Sequence, residues 1–202
     1  MKYFNLQQLT GALVLTYSNA LCGVFGIIAV VSGHVEVALV LLIVAALCDA
    51  FDGVVARLQQ QTAAQKTLGT IADSVADMVS FGVLPVVVFI SLASLNVVTG
   101  IVVALYVFAA IHRLVVFTAD ALRTQQPTRH FTGLPVVMGA VMMPILYAFF
   151  GSLLWFPFMM TAVVFVLAAL FVSKLSIPKP HGPIAYVSYL SIAAIVMTSI
   201  IL

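Results

Sequence analysis

Residues 49–77 read DAFDGVVARLQQQTAAQKTLGTIADSVAD and hold four of the six acidic residues in this chain of 202 residues. The four acids are Asp49, Asp52, Asp73 and Asp77. They lie in or beside strongly apolar segments, where a charged aspartate costs about 2.5–3.5 kcal/mol on membrane-insertion scales. Because such charges also repel one another, the stretch predicts a functional site that includes something positive.

The spacing of these acids, and of the small residues among them, predicts two helices. In the first helix, the positions i, i+3, i+4 and i+7 are occupied by Asp49, Asp52, Gly53 and Ala56. In the second helix, the positions i, i+4 and i+8 are occupied by Gly69, Asp73 and Asp77. Each set falls on one face of a helix. Two antiparallel helices joined by a short loop would turn these faces toward each other and bring the carboxylates together.

A cluster of carboxylate oxygens suits a hard divalent cation, so Mg²⁺ or Mn²⁺ is the expected cofactor. Gly53, Ala56 and Gly69 leave room on the same faces for a ligand to approach the backbone. Arg57 supplies a positive charge suited to phosphate. The alternative is that the small residues only let the helices pack closely, which accounts for the glycines but not for the acids.

The composition predicts an integral membrane protein. Hydrophobic residues make up 64% of the chain, charged residues 7%, and the mean hydropathy is +1.25, which excludes a soluble globular protein. The net charge is only +2, and we expect no nucleic-acid partner. A span needs about 20 apolar residues. By that measure seven segments qualify, and they are residues 11–32, 35–58, 68–93, 96–122, 133–150, 154–173 and 183–202.

We therefore predict an all-α, polytopic transmembrane helical bundle of about seven spans, in a single domain covering residues 1–202. Residues 1–10 mix polar and apolar side chains, which is typical of either a short interfacial helix or a frayed terminus. Seven of the eight Lys and Arg residues fall on one side of this topology, which the positive-inside rule makes cytoplasmic. The N-terminus and the acidic cluster are then expected at the cytoplasmic side of the plasma membrane.

The eighth basic residue, Arg113, lies near the middle of the fourth span, beside His112. An intramembrane arginine usually faces a protein interior or a water-filled cavity and pairs with an anion. Arg113 therefore predicts a site for phosphate or a substrate carboxylate, with an ion pair to Asp120 as the structural alternative. Asn19 in the first span is expected either to bind a base or ribose or to join helices. Arg129, in the polar loop after the fourth span, is a further candidate for contact with a head group.

Residues 49–77 resemble the signature of the CDP-alcohol phosphotransferase family, which is Asp-x-x-Asp-Gly-x-x-Ala-Arg, a spacer, and Gly-x-x-x-Asp-x-x-x-Asp. All eight fixed positions are present. The spacer, residues 58–68, is longer than the family's usual spacer by about one helical turn. This difference predicts either an extra turn of helix or a looser loop. The resemblance also implies a six-helix core, to which this chain adds one span.

Three further stretches resemble the phosphatidylserine synthase branch of this family. They are DSVADMVSFGVLP at residues 73–85, SNALCG at 18–23 and FTGLP at 131–135. The branch usually carries two arginines in the fourth span, followed by Phe-Asn. Here Arg113 holds the first place, Val116 the second, and Thr118 replaces the asparagine. The resemblance thus implies the type of reaction more firmly than it implies the identity of the acceptor alcohol.

The resemblance implies a donor, CDP-diacylglycerol or an ether-lipid analogue, whose pyrophosphate is held by one or two divalent ions on the four aspartates. Asp77 would be the base that takes the proton of the acceptor hydroxyl. Arg57 would neutralise phosphate charge. The residues that would accommodate the CDP are Gly53, Ala56, Gly69 and Asn19.

L-Serine is the acceptor that the branch implies, with Arg113 binding its carboxylate and His112 or Arg129 nearby. Glycerol phosphate and inositol phosphate are alternative acceptors within the family. A cation transporter that uses the acids as an ion site is the rival from another class of protein. The family further implies a membrane-lipid environment and a homodimer.

Overall fold

The computed structural model of the chain describes residues 9–124, 130–178 and 183–201. Over these ranges the fold consists of α-helices, one π-helical segment and two short strands. In chain order the elements are α1 (Gly11–Val31), α2 (Val35–Leu58), α3 (Ala63–Asp77), the π-segment (Met78–Val83), α4 (Leu84–Ala93), α5 (Val97–Thr124), β1 (His130–Thr132), α6 (Val136–Phe150), α7 (Phe156–Phe171), β2 (Ser176–Pro178) and α8 (Pro183–Ile201).

This architecture confirms the all-α membrane bundle. Because α3, the π-segment and α4 follow one another without a break, helical rods stand where the seven apolar segments were predicted. The rods that are long and apolar enough to cross a membrane are α1, α2, Ala63–Ala93 and α5, and the later ones are shorter apolar helices. Large apolar side chains face outward, among them Phe108 at 68% and Leu154 at 97% exposure. Such a surface suits contact with lipid, as in a multi-pass membrane protein.

The third rod begins at Ala63, five residues before the predicted start, because Thr62 caps it. The Thr62 side chain accepts a hydrogen bond from the Gln65 backbone N–H at 3.2 Å, and the Thr62 N–H donates to Gln65 Oε1 at 2.9 Å. This reciprocal capping box fixes the start of a helix. The lengthened spacer is therefore a short loop at residues 59–62 followed by extra helix before Gly69.

Helix α1 packs along α2 and also contacts α3, the π-segment and α4. A turn at Gly33, whose φ of +85° favours glycine, reverses the chain between α1 and α2. Two further glycines bring α1 close to the third rod. A Cβ on Gly23 would lie 2.9 Å from Ser80 Cα, and one on Gly26 would lie 2.6 Å from Leu84 Cδ2. Glycine is needed at position 23, where the contact is with backbone, whereas at position 26 the Leu84 side chain would have to move aside.

The π-segment starts directly after Asp77, the last acid of the signature. Such wide turns are rare and often mark functional sites. Ser80 Oγ donates to the Asn19 carbonyl oxygen at 2.8 Å, and Tyr106 Oη donates to the Phe81 carbonyl oxygen at 2.9 Å. These two bonds hold the segment between α1 and α5.

Strands β1 and β2 pair antiparallel, with Phe131 opposite Ile177. This ribbon ties the connection before α6 to the connection after α7. From the sequence, the first connection is predicted only as a polar loop, because three-residue strands leave no periodic signal. Beyond β1, the Gly133 N–H donates to the Leu175 carbonyl oxygen at 2.6 Å and leads the chain into α6.

The interfacial helix suggested for residues 1–10 falls mostly on residues 1–8, outside the described ranges. Thr10 is the N-cap of α1, and its side chain accepts a hydrogen bond from the Leu13 N–H at 3.2 Å. The first transmembrane helix therefore begins where the sequence predicts it.

We expect Gly23→Ala to lower the midpoint of thermal unfolding of the detergent-solubilised protein. The new methyl group would lie 2.9 Å from the Ser80 backbone, which cannot move aside as the end of a flexible side chain can. Overpacking of this kind typically costs about 1–3 kcal/mol. The control is Gly100→Ala in α5, where no described atom lies within 4 Å of the added carbon. Equal midpoints for the two variants would contradict the packing role of Gly23.

Candidate metal centre and substrate cavity

Three signature acids meet at one point between α2 and α3. Asp49 and Asp52 project from the C-terminal half of α2, and Asp73 from the C-terminal half of α3. One carboxylate oxygen from each lies within 4.8 Å of the other two. Asp52 is buried at 8% exposure. The facing helices predicted from the spacing thus bring these side chains together.

Asp77, the fourth signature acid, ends α3 beside this triad. Its carboxylate interacts electrostatically with all three triad acids. Its Oδ1 accepts a hydrogen bond from Asn19 Nδ2 at 3.1 Å. Asp77 therefore belongs to the same charged cluster and is held in place from α1.

Helix α1 supplies a second polar contact to the cluster. Thr16 Oγ1 donates to Asp52 Oδ2 at 2.7 Å. Thr16 and Asn19 lie one turn apart and are 3% and 0% exposed. Thr16 was not predicted as a site residue. Asn19 was expected either to bind a base or ribose or to join helices, and its amide contacts Asp77, which joins α1 to α3. The signal for both was the spacing of Thr16, Asn19 and Gly23, which puts polar and small residues on one stripe of an apolar helix.

The donor atoms fit a divalent cation. Asp73 Oδ1 and Asn19 Oδ1 are buried and accept no hydrogen bond from any described residue. Buried polar atoms are nearly always partnered, so an unpartnered carboxylate oxygen among other carboxylates indicates a missing positive partner. The cluster offers only oxygen ligands, which Mg²⁺ and Mn²⁺ prefer. Asp49, Asp52 and Asp73 are the residues placed to hold the ion.

A cavity of about 1050 Å³ adjoins the cluster. Its wall is formed by α1, α2, α3 and α5 together with the segment that follows α7. Asp52 and Asp73 line it, so a molecule in the cavity can reach the candidate metal centre.

The signature glycines leave open space beside this cavity. A Cβ on Gly69 would meet no described atom within 4 Å, and one on Gly53 would meet only the Arg57 guanidinium, 3.8 Å away. Both glycines and Ala56 line the cavity. Close helix packing therefore does not explain Gly53 and Gly69, although it does explain Gly23. The space that they leave is available to a ligand.

The candidate acceptor residues lie on another wall of the same cavity. Arg113 and His112 both line it. Arg113 is 9% exposed, and its Nε and Nη2 donate to the carbonyl oxygens of Leu134 and Gly133, both at 3.4 Å. These carbonyls, rather than an ion pair with Asp120, hold the arginine. Arg129 lies outside the described residues, and its predicted contact stays a prediction.

Comparison with known proteins identifies the family. Residues 9–173 match the family model described as CDP-alcohol phosphatidyltransferase. The chain is 34% identical over 143 residues to a CDP-diacylglycerol–serine O-phosphatidyltransferase of Mycobacterium tuberculosis, covering 69% of this chain and 48% of that protein. It is 30% identical over 174 residues to an archaetidylserine synthase of Methanothermobacter thermautotrophicus, covering 84% and 70%. The chain spans about half the length of the mycobacterial relative. These matches confirm the resemblance drawn from residues 49–77.

We expect Thr16→Val to weaken Mn²⁺ binding by about 10–100-fold, the usual effect of losing an outer-shell partner of a metal ligand. Valine keeps the shape of threonine but cannot donate to Asp52, so the carboxylate loses its fixed orientation. The measurement is a titration of the purified protein in detergent, with free Mn²⁺ followed by electron paramagnetic resonance.

Thr16→Ser retains the hydroxyl and is the matched control, for which we expect affinity close to that of the unaltered protein. Removal of the ion with EDTA should reverse the signal in each case. Equal affinity of the valine and serine variants would show that the hydroxyl does not orient the site.

Proposed function

This chain belongs to the CDP-alcohol phosphatidyltransferase family, and we propose that it transfers the phosphatidyl group of CDP-diacylglycerol, or of an ether-lipid analogue, to L-serine. The products are CMP and phosphatidylserine or its ether counterpart. The observation that carries the proposal is the carboxylate triad, whose oxygens lie within 4.8 Å of one another beside a ligand-sized cavity. Serine is favoured because the names of both the bacterial and the archaeal relatives specify it.

The donor would lie with its tails in the bilayer and its pyrophosphate against α2 and α3. Asp49, Asp52 and Asp73 would hold Mg²⁺ or Mn²⁺, with Asp77 beside them. The bound cation would neutralise charge on the pyrophosphate and on the departing CMP. Gly53, Ala56 and Gly69 would let the CDP moiety approach the helix backbones.

Arg57 would add a fixed positive charge at the same place. Its guanidinium lies close to Gly53, at the end of α2. An arginine there suits a phosphate oxygen, because its planar N–H groups match the geometry of phosphate. At this position Arg57 is better placed to bind the pyrophosphate of the donor than to bind the acceptor.

Asp77 is the residue proposed to take the proton of the acceptor hydroxyl. The hydroxyl oxygen forms a bond to the lipid-bearing phosphorus, the bond from that phosphorus to CMP breaks, and CMP leaves with the electron pair. The proton passes to the Asp77 carboxylate, which Asn19 holds by its hydrogen bond of 3.1 Å. Asn19 thus serves better as a positioning residue for the base than as a ligand of cytidine.

Arg113 is the residue proposed to bind the serine carboxylate, with His112 nearby on the cavity wall. The departure from the branch pattern at residue 118 has a structural consequence. The Thr118 hydroxyl forms a hydrogen bond with the Ser74 hydroxyl and joins α5 to α3 directly after Asp73. Thr118 therefore supports α3, the helix that carries Asp73. Of the branch pattern in α5, Arg113 is the residue that remains to bind the acceptor.

We propose that the active site faces the cytoplasm in the plasma membrane. Lys66 and Lys174 lie at the end of the bundle onto which the cavity opens and line it together with the acids. An excess of lysine and arginine marks the cytoplasmic side of membrane proteins. The homodimer that the family implies stays a prediction.

The purified protein in vesicles that contain CDP-diacylglycerol should release CMP when it is given L-serine and Mg²⁺ or Mn²⁺, and EDTA should stop the release. The measurement pairs CMP release with separation of the lipid made from labelled serine. Glycerol 3-phosphate and inositol phosphate are tested in parallel. Labelled lipid from one of those instead would reassign the acceptor, and ion flux without CMP would favour a transporter.

Asp77→Asn should lower kcat for CMP release by about 10²–10⁴-fold, the usual contribution of a general base. The change keeps the size of the side chain, so the unfolding midpoint in detergent should stay close to that of the unaltered protein. Conservation of the midpoint is the control that separates loss of the base from loss of the fold. Activity within a few-fold of the unaltered protein would reject the assignment.

A further inference from the structure

The chain has six acidic residues, and one of them lies outside the metal cluster and outside any hydrogen bond between described side chains. Four form the cluster between α2 and α3. Glu36, at the opposite end of α2, accepts a hydrogen bond from Tyr147 Oη at 2.7 Å. The remaining acid is Asp120, near the C-terminal end of α5.

Asp120 lines the same cavity as Asp52 and Asp73, from the opposite wall. No described residue donates a hydrogen bond to its carboxylate or forms an ion pair with it. Its interaction with Arg113 is electrostatic and acts at longer range. The Asp120 side chain is exposed and lines the cavity, so a cationic group can reach it.

Arg113 and Asp120 are seven residues apart, so they lie on one face of α5 with Cα atoms separated by about 10 Å. Arg113 is buried and is held by the carbonyl oxygens of Leu134 and Gly133. The arginine thus keeps its place without help from Asp120. This wall of the cavity carries a fixed positive charge and, two helical turns away, a negative one.

We propose that Asp120 binds the ammonium group of the acceptor while Arg113 binds its carboxylate. This assignment rests on the proposed function. It adds a binding partner for the ammonium group, which the positively charged Arg113 cannot bind. A zwitterionic amino acid carries its ammonium and carboxylate groups on the same carbon atom, so it needs one negative and one positive partner close together. The α5 wall supplies one of each. The hydroxyl is then directed across the cavity toward Asp73, which lines it, with Asp77 one helical turn further along α3.

Asp120 also disfavours competing acceptors. Inositol phosphate and glycerol phosphate carry a phosphate and no ammonium group, so binding in the same place brings negative charge beside the carboxylate. Rejection of a wrong substrate by like charge is a common source of specificity. Lys66 and Lys174, also in the cavity wall, are free to serve the pyrophosphate of the donor.

The test compares L-serine with 3-hydroxypropionate, which has the same primary hydroxyl and carboxylate but lacks the ammonium group. Steady-state CMP release gives KM and kcat for each acceptor with the unaltered protein and with Asp120→Asn. We expect Asp120→Asn to raise KM for serine by roughly 10–100-fold, the usual effect of losing a hydrogen bond to a charged group. kcat for serine and KM for 3-hydroxypropionate should change by less than a few-fold.

Asp120→Glu keeps the charge and is the matched control, which should retain most of the preference for serine. The unfolding midpoints of both variants show whether Asp120 serves only the fold, for example through its neighbour Arg123. An unchanged KM for serine, or an equal rise for both acceptors, would overturn the assignment while leaving the proposed function intact. Absence of serine-dependent CMP release by the unaltered protein would overturn the proposed function and this assignment together.

Discussion

Four carboxylates, one buried and three half-buried among apolar helices, are the constraint on which the rest of this structure depends. Each loses hydration on burial, and together they repel one another where the dielectric screening is weak. The hydroxyl of Thr16 and the amide of Asn19 stabilise two of them. These neutral donors offset only part of the charge, and Asp73 Oδ1 has no partner among the described residues. A divalent cation held by Asp49, Asp52 and Asp73 would complete the arrangement. In the function proposed for this chain, stability and catalysis would then depend on the same interaction.

The position of α1 follows from this constraint. Its donors reach the acids only because the helix lies close to the third rod, where Gly23 meets Ser80 without a side chain between them. The π-segment contributes to the same contact, since Ser80 donates to the Asn19 carbonyl oxygen. The glycines of this chain thus have two different roles. Those of α1 permit packing, whereas Gly53 and Gly69 leave the cavity open for a ligand.

In the proposed function, different walls of the cavity serve the chemistry shared by the family and the choice of acceptor. The signature residues on α2 and α3 form one wall, and the charged residues Arg113 and Asp120 of α5 form another. Because the two sets lie on different helices, a change on α5 would alter the wall proposed to bind the acceptor and leave the signature side chains themselves in place. Thr118 of α5 is an exception, since it also contacts Ser74 of α3. The chain keeps all eight fixed signature positions and yet departs from the branch pattern at Val116 and Thr118, as this proposed separation would allow.

The sequence by itself determined the seven apolar segments and the acidic faces of two helices, because both are periodic features of a continuous stretch of chain. Arg113 was also predictable, since a charge in an apolar span is unusual. Only the tertiary structure decided that Thr16 contacts Asp52, that Asn19 contacts Asp77 and that a strand pair joins two distant loops. The two hydrogen bonds join residues that are 36 and 58 positions apart along the chain. No local pattern encodes such a contact, because it depends on how closely whole helices approach one another.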